Sequence, residues 1–364
     1  MKVVSIIGAR PQFIKCAPVS RALRKVAQEV LVHTGQHYDD SMSGVFFREL
    51  GIADPDYHLG IGSGPHGHQT GDMLKGVEEI LLKEAPEMVL VYGDTNSTLA
   101  GALAAVKLHV PVVHVEAGLR SFNRRMPEEI NRVVTDQLST LLLCPTETAV
   151  ENLRREGVTQ GVYVVGDVMY DALMDSVERA QQTSTILERL RITPQGYLLA
   201  TVHRADNTDQ SMHLNGILSA LNRLSGPDRM IVFPVHPRTR KQLEQISFSP
   251  SPYLLLIDPV PYLDMVCLES NAHVIVTDSG GIQKEAYWLG VPCITLREET
   301  EWVETVASGW NCLVGTATDR IVSAVCAASA GRIDVWPYSR GEASTSVAQR
   351  ITAYASEQMT ASPV

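Results

Sequence analysis

Thr277-Asp278-Ser279-Gly280-Gly281-Ile282-Gln283-Lys284-Glu285-Ala286 decides how the chain folds. The apolar run before it, residues 272–276, reads as a buried parallel strand. The run after it, residues 282–289, has helical character and stops at Gly290 and Pro292. Ser279-Gly280-Gly281 is therefore a strand-to-helix turn with no bulky side chain. Such a turn exposes backbone N–H groups at the positive end of a helix, which suits a phosphate. Glu285 follows one to two turns later, where its carboxylate could accept bonds from ribose hydroxyls. An ordinary tight βα turn accounts for the same residues, so the turn alone leaves phosphate binding open.

The same alternation runs through the whole chain. Short apolar runs at 3–7, 30–34, 88–92, 110–115, 141–144 and 162–165 read as strands, as do 197–201, 230–234, 253–257, 274–277, 293–296 and 311–314. Helical patterns lie between them, at 96–108, 146–155, 211–224 and 318–328. Repeated βα units imply parallel sheets with helices on both faces. Twelve strands exceed one comfortable doubly wound sheet, and 364 residues suffice for two full cores. The expected boundary lies near Gly166-Asp167. A helical segment at 170–182 and the polar Gln181-Gln182-Thr183-Ser184-Thr185 follow it. The amphipathic tail, 344–357, is expected to cross back onto the first half.

Composition narrows the function. With 45% hydrophobic and 20% charged residues, the chain is ordinary globular protein. A net charge of −10 argues against nucleic acid or an anionic membrane as partner. No apolar run is long enough to span a bilayer, and the N-terminus reads as the first strand rather than a signal peptide. Six scattered cysteines without Cys-x-x-Cys read as core thiols of a reducing cytoplasm.

Ligands of open α/β sheets bind beyond the carboxyl ends of the strands. The first strand ends in Gly8-Ala9-Arg10-Pro11-Gln12-Phe13-Ile14-Lys15, which lacks the Gly-x-Gly-x-x-Gly of dinucleotide binders but offers Arg10 and Lys15 to an anion. Gly93-Asp94-Thr95-Asn96 ends another strand, where Asp94 is either a helix cap or a functional carboxylate. Glu116 directly follows an apolar strand, and a buried carboxylate needs a partner. Met126-Pro127-Glu128-Glu129-Ile130-Asn131-Arg132 fits a helix start, with either glutamate available for chemistry. In the second half, His203-Arg204 and His236-Pro237-Arg238 end two strands at one level and make a basic rim suited to a diphosphate. No His-x-x-x-His or His-Glu-x-x-His spacing is present, so a catalytic metal is not expected.

Taken in order, these motifs resemble the non-hydrolysing UDP-N-acetylglucosamine 2-epimerases. The likeness rests on Gly8-Ala9-Arg10-Pro11, Gly93-Asp94-Thr95, His114-Val115-Glu116-Ala117-Gly118-Leu119-Arg120 and Pro127-Glu128-Glu129-x-Asn131-Arg132. It continues with Pro145-Thr146-Glu147, His203-Arg204, Pro234-Val235-His236-Pro237, Asp258-Pro259, the opening stretch and Gly290-x-Pro292.

The resemblance implies an α/β, GT-B-like fold. Two Rossmann-like domains with parallel sheets would span residues 1–166, with 344–364 crossing back, and 167–343, flanking an interdomain active-site cleft. It implies a cytoplasmic homodimer that interconverts UDP-GlcNAc and UDP-ManNAc for surface polysaccharide precursors, without nicotinamide or any other cofactor. UDP would leave C1 as the C2 proton is removed, giving a 2-acetamidoglucal, and would return with the proton on the other face. Asp94, Glu116 and Glu128 are the implied acid/base carboxylates, on two faces as the chemistry requires. His203 would stabilise the leaving diphosphate. Arg10, Lys15, Arg132, His236, Ser279, Gly280, Gly281 and Glu285 would hold the UDP-sugar.

Two segments depart from the family pattern. His-Arg-Arg-Glu reads here His203-Arg204-Ala205-Asp206, and Thr-Glu-Arg-Pro-Glu reads Thr300-Glu301-Trp302-Val303-Glu304. Arginines connected with a regulatory second UDP-GlcNAc site in bacterial members are thus not carried over. The variant pattern is similar to the branch acting on UDP-2,3-diacetamido-2,3-dideoxyglucuronic acid. A uronate needs an extra cation, for which Arg120, Arg124 and Arg125 are candidates. A GT-B glycosyltransferase would use a similar nucleotide site.

Overall fold

The computed structural model describes residues 1–36, 47, 49–331 and 341–361. The last residues of the expected terminal helix, 362–364, lie outside them. The chain divides into two compact units, Met1–Ala172 with Pro337–Val364, and Leu173–Trp336.

The first unit is a seven-stranded sheet in the order β3-β2-β1-β4-β5-β6-β7. Its strands are β1 (Lys2–Ile7), β2 (Gln28–His33), β3 (Tyr57–His58), β4 (Met88–Tyr92), β5 (Val112–Val115), β6 (Leu141–Cys144) and β7 (Val162–Val164). Every pairing is parallel. The connecting helices are α1 (Arg10–Leu23), α2 (His66–Glu84), α3 (Asn96–Lys107), α4 (Pro127–Leu138) and α5 (Glu147–Arg155), with α6 (Val168–Thr183) crossing the division between units. β3 is absent from the expected strands. Two residues at a sheet edge give too short a pattern to read.

The second unit is a six-stranded parallel sheet in the order β10-β9-β8-β11-β12-β13. It is built from β8 (Tyr197–Thr201), β9 (Met230–Pro234), β10 (Leu254–Ile257), β11 (Val274–Thr277), β12 (Cys293–Thr295) and β13 (Asn311–Leu313). Helices α7 (Ile186–Leu190), α8 (Ala205–Thr208), α9 (Ser211–Leu224), α10 (Pro237–Gln245), α11 (Tyr262–Ser270), α12 (Gly280–Leu289), α13 (Val303–Ala307) and α14 (Thr318–Ala327) complete it. The final helix, α15 (Ala343–Ala361), belongs to the first unit and packs on α1. Ser344 anchors its start through N–H and Oγ bonds to Asp171 Oδ2, 2.8 and 2.5 Å long.

Each sheet is doubly wound. The strand order reverses direction between β1 and β4 in one unit and between β8 and β11 in the other. At these switch points the loops after neighbouring strands leave on opposite sides and open a crevice. The apolar strands make the cores: Val4, Ile6, Val89 and Val91 in the first unit, Leu198, Ala200, Val274 and Val276 in the second. Cys16, Cys144, Cys267 and Cys293 are buried as expected of core thiols, whereas Cys312 and Cys326 are exposed. Among the described residues no helix is long and apolar enough to cross a membrane.

One buried side chain ties the first switch point together. Gln12 Oε1 accepts the amides of Gly8 and Ala9 at 2.8 and 3.0 Å, while its Nε2 donates to Tyr92 O and Thr98 Oγ1 at 3.0 and 3.1 Å. The turn after β1 is thereby fixed to the turn after β4. Gln12→Leu would strand these buried groups at a cost of about 1–3 kcal/mol. It is expected to lower the urea midpoint of unfolding, and an unchanged midpoint would remove Gln12 as the tether.

Candidate functional site

In the first unit, the residues expected to act converge on the β1/β4 switch point and the end of β5. Lys15 projects inward from α1 and its Nζ donates to Glu116 Oε2. Both side chains are nearly buried, 11% and 7% exposed, so each charge balances the other. Lys15 was expected to meet an anionic ligand; its charge is instead committed to this carboxylate. Glu116 has φ +71°, a left-handed backbone that costs a non-glycine residue strain. Gly93, φ +63°, precedes Asp94; a β-carbon there would lie 3.1 Å from Glu116 Oε2 and 3.2 Å from Lys15 Nζ. Asp94 therefore sits one residue from the Lys15–Glu116 pair.

Helix α4 brings the remaining groups. Arg132 donates to Asp94 Oδ2, and Asn131 Nδ2 donates to the Asp94 carbonyl at 2.9 Å. The two neighbouring glutamates separate cleanly. Glu129 is 3% exposed and accepts the amides of Ser121 and Phe122 and the Ser121 hydroxyl, so it clamps the preceding loop. Glu128 is exposed and carries no hydrogen bond or ion pair among the described residues. It is one helical turn before Arg132. Arg10 opens α1 and is partly exposed.

Behind this cluster lies a buried layer that sequence reading missed. His114, in the middle of β5, has one ring nitrogen 2.7 Å from Asp136 Oδ1 and the other 2.7 Å from the Gly93 carbonyl oxygen. Asp136 Oδ2 accepts from Gly118 N at 3.1 Å and Arg120 Nη1 at 2.7 Å. Burial pushes the Asp136 carboxyl up, but the His114 ring and the Arg120 guanidinium outweigh it and hold it below the usual carboxylate range. The His114 ring thus bridges the Asp136 carboxylate and the Gly93 carbonyl. Arg120 completes the layer with a two-pronged bond to Glu156, 2.8 and 2.7 Å long. With its side chain 1% exposed and its charge spent, Arg120 is corrected from a candidate for a uronate. Arg124 and Arg125 are exposed. The available signal was a histidine inside an otherwise apolar strand.

In the second unit, Asp278 organises the β8/β11 switch point. It is fully buried and accepts His203 N at 3.1 Å, Arg204 N at 3.0 Å and Asn207 Nδ2 at 3.0 Å. Its Oδ1 also lies 3.2 Å from His203 Nδ1. Burial raises its carboxyl, yet the His203 ring, the Arg204 amide and Asn207 prevail and keep it low. His203 Nδ1 thus faces an ionised acceptor, which leaves Nε2 outward. Asp278 was missed as a site residue, although it follows an apolar strand just as Glu116 does.

His236 lies beside His203, with ring centroids 6.0 Å apart. Its Nδ1 accepts Arg238 N at 3.2 Å, capping α10. Burial, then the neighbouring His203 and Arg238, push its imidazole below the ordinary value. Ser279 caps α12, its Oγ accepting Ile282 N at 3.4 Å. Gly280 and Gly281 open the helix behind it. A β-carbon on Gly280 would meet Glu301 Oε1 at 2.4 Å, whereas one on Gly281 would make only an ordinary contact with Ser279 Oγ at 3.9 Å. Glu285 is 7% exposed and accepts Tyr262 OH at 3.4 Å. Burial, then the charge of Glu285, raise the carboxyl of the nearby Glu269 well above the usual range. Among the described residues no group of three His, Cys, Asp or Glu could hold a metal ion.

Two doubly wound units, one with carboxylates at its switch point and one with imidazoles and a helix N-terminus, define a GT-B-like protein. The family described as UDP-N-acetylglucosamine 2-epimerase matches residues 21–352. A Methanococcus maripaludis protein named UDP-N-acetylglucosamine 2-epimerase homolog is 54% identical, covering 95% of this chain and 98% of the relative. The Pseudomonas aeruginosa UDP-2,3-diacetamido-2,3-dideoxy-D-glucuronate 2-epimerase is 49% identical, covering 96% and 99%. The crystal structure of Methanocaldococcus jannaschii UDP-GlcNAc 2-epimerase in complex with UDP-GlcNAc and UDP matches with a TM-score of 0.84 at 43% identity, over 97% of this chain and 100% of that one. The chain belongs to the UDP-N-acetylglucosamine 2-epimerase family and is an isomerase of the epimerase type.

Two outcomes follow from the geometry. Glu129→Gln should cost about 1–3 kcal/mol by weakening buried bonds, while Glu128→Gln should stay within about 0.5 kcal/mol, as chemical denaturation would measure. His236 should titrate by NMR below the usual value of about 6.5. Because the folded state holds that proton less tightly, stability should rise with pH from the lowered value up to about 6.5.

Proposed function

We propose that the chain is a non-hydrolysing UDP-2-acetamido-sugar 2-epimerase that interconverts UDP-GlcNAc and UDP-ManNAc. The observation that carries this reading is the meeting of Asp94 and Glu116 at one switch point, each paired with a cation, Arg132 and Lys15, with Glu128 on α4 unpaired among the described residues. Inverting C2 needs a base to take the proton on one face and an acid to return it on the other, so more than one carboxylate is required.

In the first half-reaction, one carboxylate removes the C2 proton. The C2–H electron pair forms the C1=C2 double bond, and the C1–O bond breaks to release UDP. In the second, the diphosphate oxygen attacks C1 and a second carboxylic acid delivers a proton to the opposite face of C2. Lys15 and Arg132 pair with Glu116 and Asp94 and fix where the two carboxylates sit.

The second unit supplies the groups suited to the leaving diphosphate. His203, steadied by Asp278, stabilises the developing charge. His236, Ser279 and the opening amides of α12 at Gly280 and Gly281 bind phosphate oxygens. Glu285 accepts from the ribose hydroxyls, and Arg10 assists with the nucleotide. The chain is further proposed to work as a cytoplasmic homodimer of two domains that serves surface polysaccharide precursors.

A second reading concerns the substrate. The 49% identity to an epimerase of UDP-2,3-diacetamido-2,3-dideoxy-D-glucuronate favours a sugar with a second acetamido group and a carboxylate. The chemistry at C1 and C2 is the same. With Arg120 spent on Asp136 and Glu156, Arg124 and Arg125 are the cations for that carboxylate.

Incubation with each UDP-sugar in deuterated water, followed by NMR, should place deuterium at C2 of one of them. No incorporation with any UDP-2-acetamido sugar would overturn the epimerase reading, and transfer that requires an acceptor would indicate a glycosyltransferase. Glu116→Gln should slow exchange by about 100-fold or more while UDP affinity stays within a few-fold.

A further inference from the structure

His66 is an exposed histidine in the first position of α2, outside every motif considered so far. Three buried amides determine how its ring is presented. Gln69 Nε2 donates to the Gly62 carbonyl at 2.9 Å, which leaves Gln69 Oε1 as an acceptor. Asn96 Nδ2 donates to that oxygen at 2.7 Å. Asn131 Nδ2, identified as the nitrogen by its bond to the Asp94 carbonyl, donates to Asn96 Oδ1 at 3.1 Å. The Asn96 amide is therefore fixed from both ends, and its second N–H points at His66 Nδ1, 3.0 Å away. That nitrogen accepts, so the ring hydrogen sits on Nε2.

Gln69, Asn96 and Asn131 are 8%, 4% and 6% exposed. A surface histidine whose only task is solvation does not need three buried amides to settle its tautomer. The chain of bonds also runs straight from His66 to the carbonyl of Asp94. It ties a presented N–H donor into the same network of bonds as the carboxylate cluster.

We infer that His66 is a further substrate-contacting residue, donating from Nε2 to an oxygen of the sugar while Asn96 holds its tautomer. This rests on the epimerase reading above. The oxygen belongs to a hydroxyl, acetamido or carboxylate substituent of the pyranose, since the cluster that His66 borders is the one proposed to act at C1 and C2. Asn96 is a positioning residue: it acts through His66.

The test compares wild type, His66→Ala, His66→Gln and Asn96→Asp by C2 deuterium exchange, on whichever UDP-sugar the wild type turns over. Loss of one hydrogen bond to substrate should lower kcat/KM of His66→Ala by about 10- to 100-fold. His66→Gln, which keeps a donor, should recover part of the loss. Asn96→Asp presents an acceptor to Nδ1, removes the bond that keeps the ring hydrogen on Nε2 alone and should lower kcat/KM toward that of His66→Ala. Competition by UDP and the thermal midpoint of His66→Ala should match the wild type, because the exposed ring supports neither. Exchange by His66→Ala within twofold of wild type overturns the inference, as does a loss of activity matched by loss of UDP affinity or of stability. Absence of exchange in the wild type would remove the epimerase reading and this inference together; normal wild-type exchange with an unaffected His66→Ala would remove this inference alone.

Discussion

The Lys15–Glu116 pair is the interaction on which the first unit's chemistry depends. A carboxylate held among buried groups, on a left-handed backbone, is costly on two counts. Lys15 answers the electrostatic part by reaching across from α1. Beneath it, His114 bonds the Gly93 carbonyl and Asp136 accepts the Gly118 amide, while Arg120 braces Asp136. Glu116 is thus strained in place, with its carboxylate aimed at the switch point rather than relaxed into the core. Removing Lys15 would take away a buried ion-pair partner of Glu116.

The second unit solves the same problem with the polarity reversed. There the buried group is Asp278, and it is spent entirely on presentation: two backbone amides, one side-chain amide and one imidazole converge on it. His203 is the product of that arrangement, fixed by Nδ1 with Nε2 free to meet a ligand. In both units a charged residue directly after an apolar strand carries the local order. In one it is the carboxylate proposed to react, and in the other it orients the imidazole proposed to meet the diphosphate.

Much of this was legible in the sequence. Apolar runs located twelve strands because buried parallel strands leave a strong signal, and the polar residues at their ends marked the rims. The family motifs pointed to Asp94, Glu116, Glu128 and His203 as acting groups, and the structure brings the first two together at one switch point. What escaped has a physical explanation. β3 is too short to show a period. Glu128 and Glu129 are equivalent as helix-start residues, and only the fold of the loop 121–122 onto one of them tells them apart. Lys15, Arg120 and Arg132 looked like cations awaiting an anionic ligand, because sequence does not reveal which cation has a carboxylate opposite. Helix α4 misleads most: Glu129, Asn131, Thr135 and Asp136 are buried while Ile130 and Val134 are exposed, the reverse of the usual amphipathic rule.

That reversal has a mechanical meaning. A helix seated by apolar contact can slide or tilt a little at small cost, because dispersion and hydrophobic burial have no direction. One seated by directional bonds has a single resting place. Asn131 pins α4 to the loop after β4, while Asp136 and Glu129 pin it at two points of the loop after β5, so Glu128 and Arg132 ride on a helix held by directional bonds. The inverted face works as a locating fixture, in the machinist's sense, for Glu128, the carboxylate proposed to act with no ion-pair partner among the described residues.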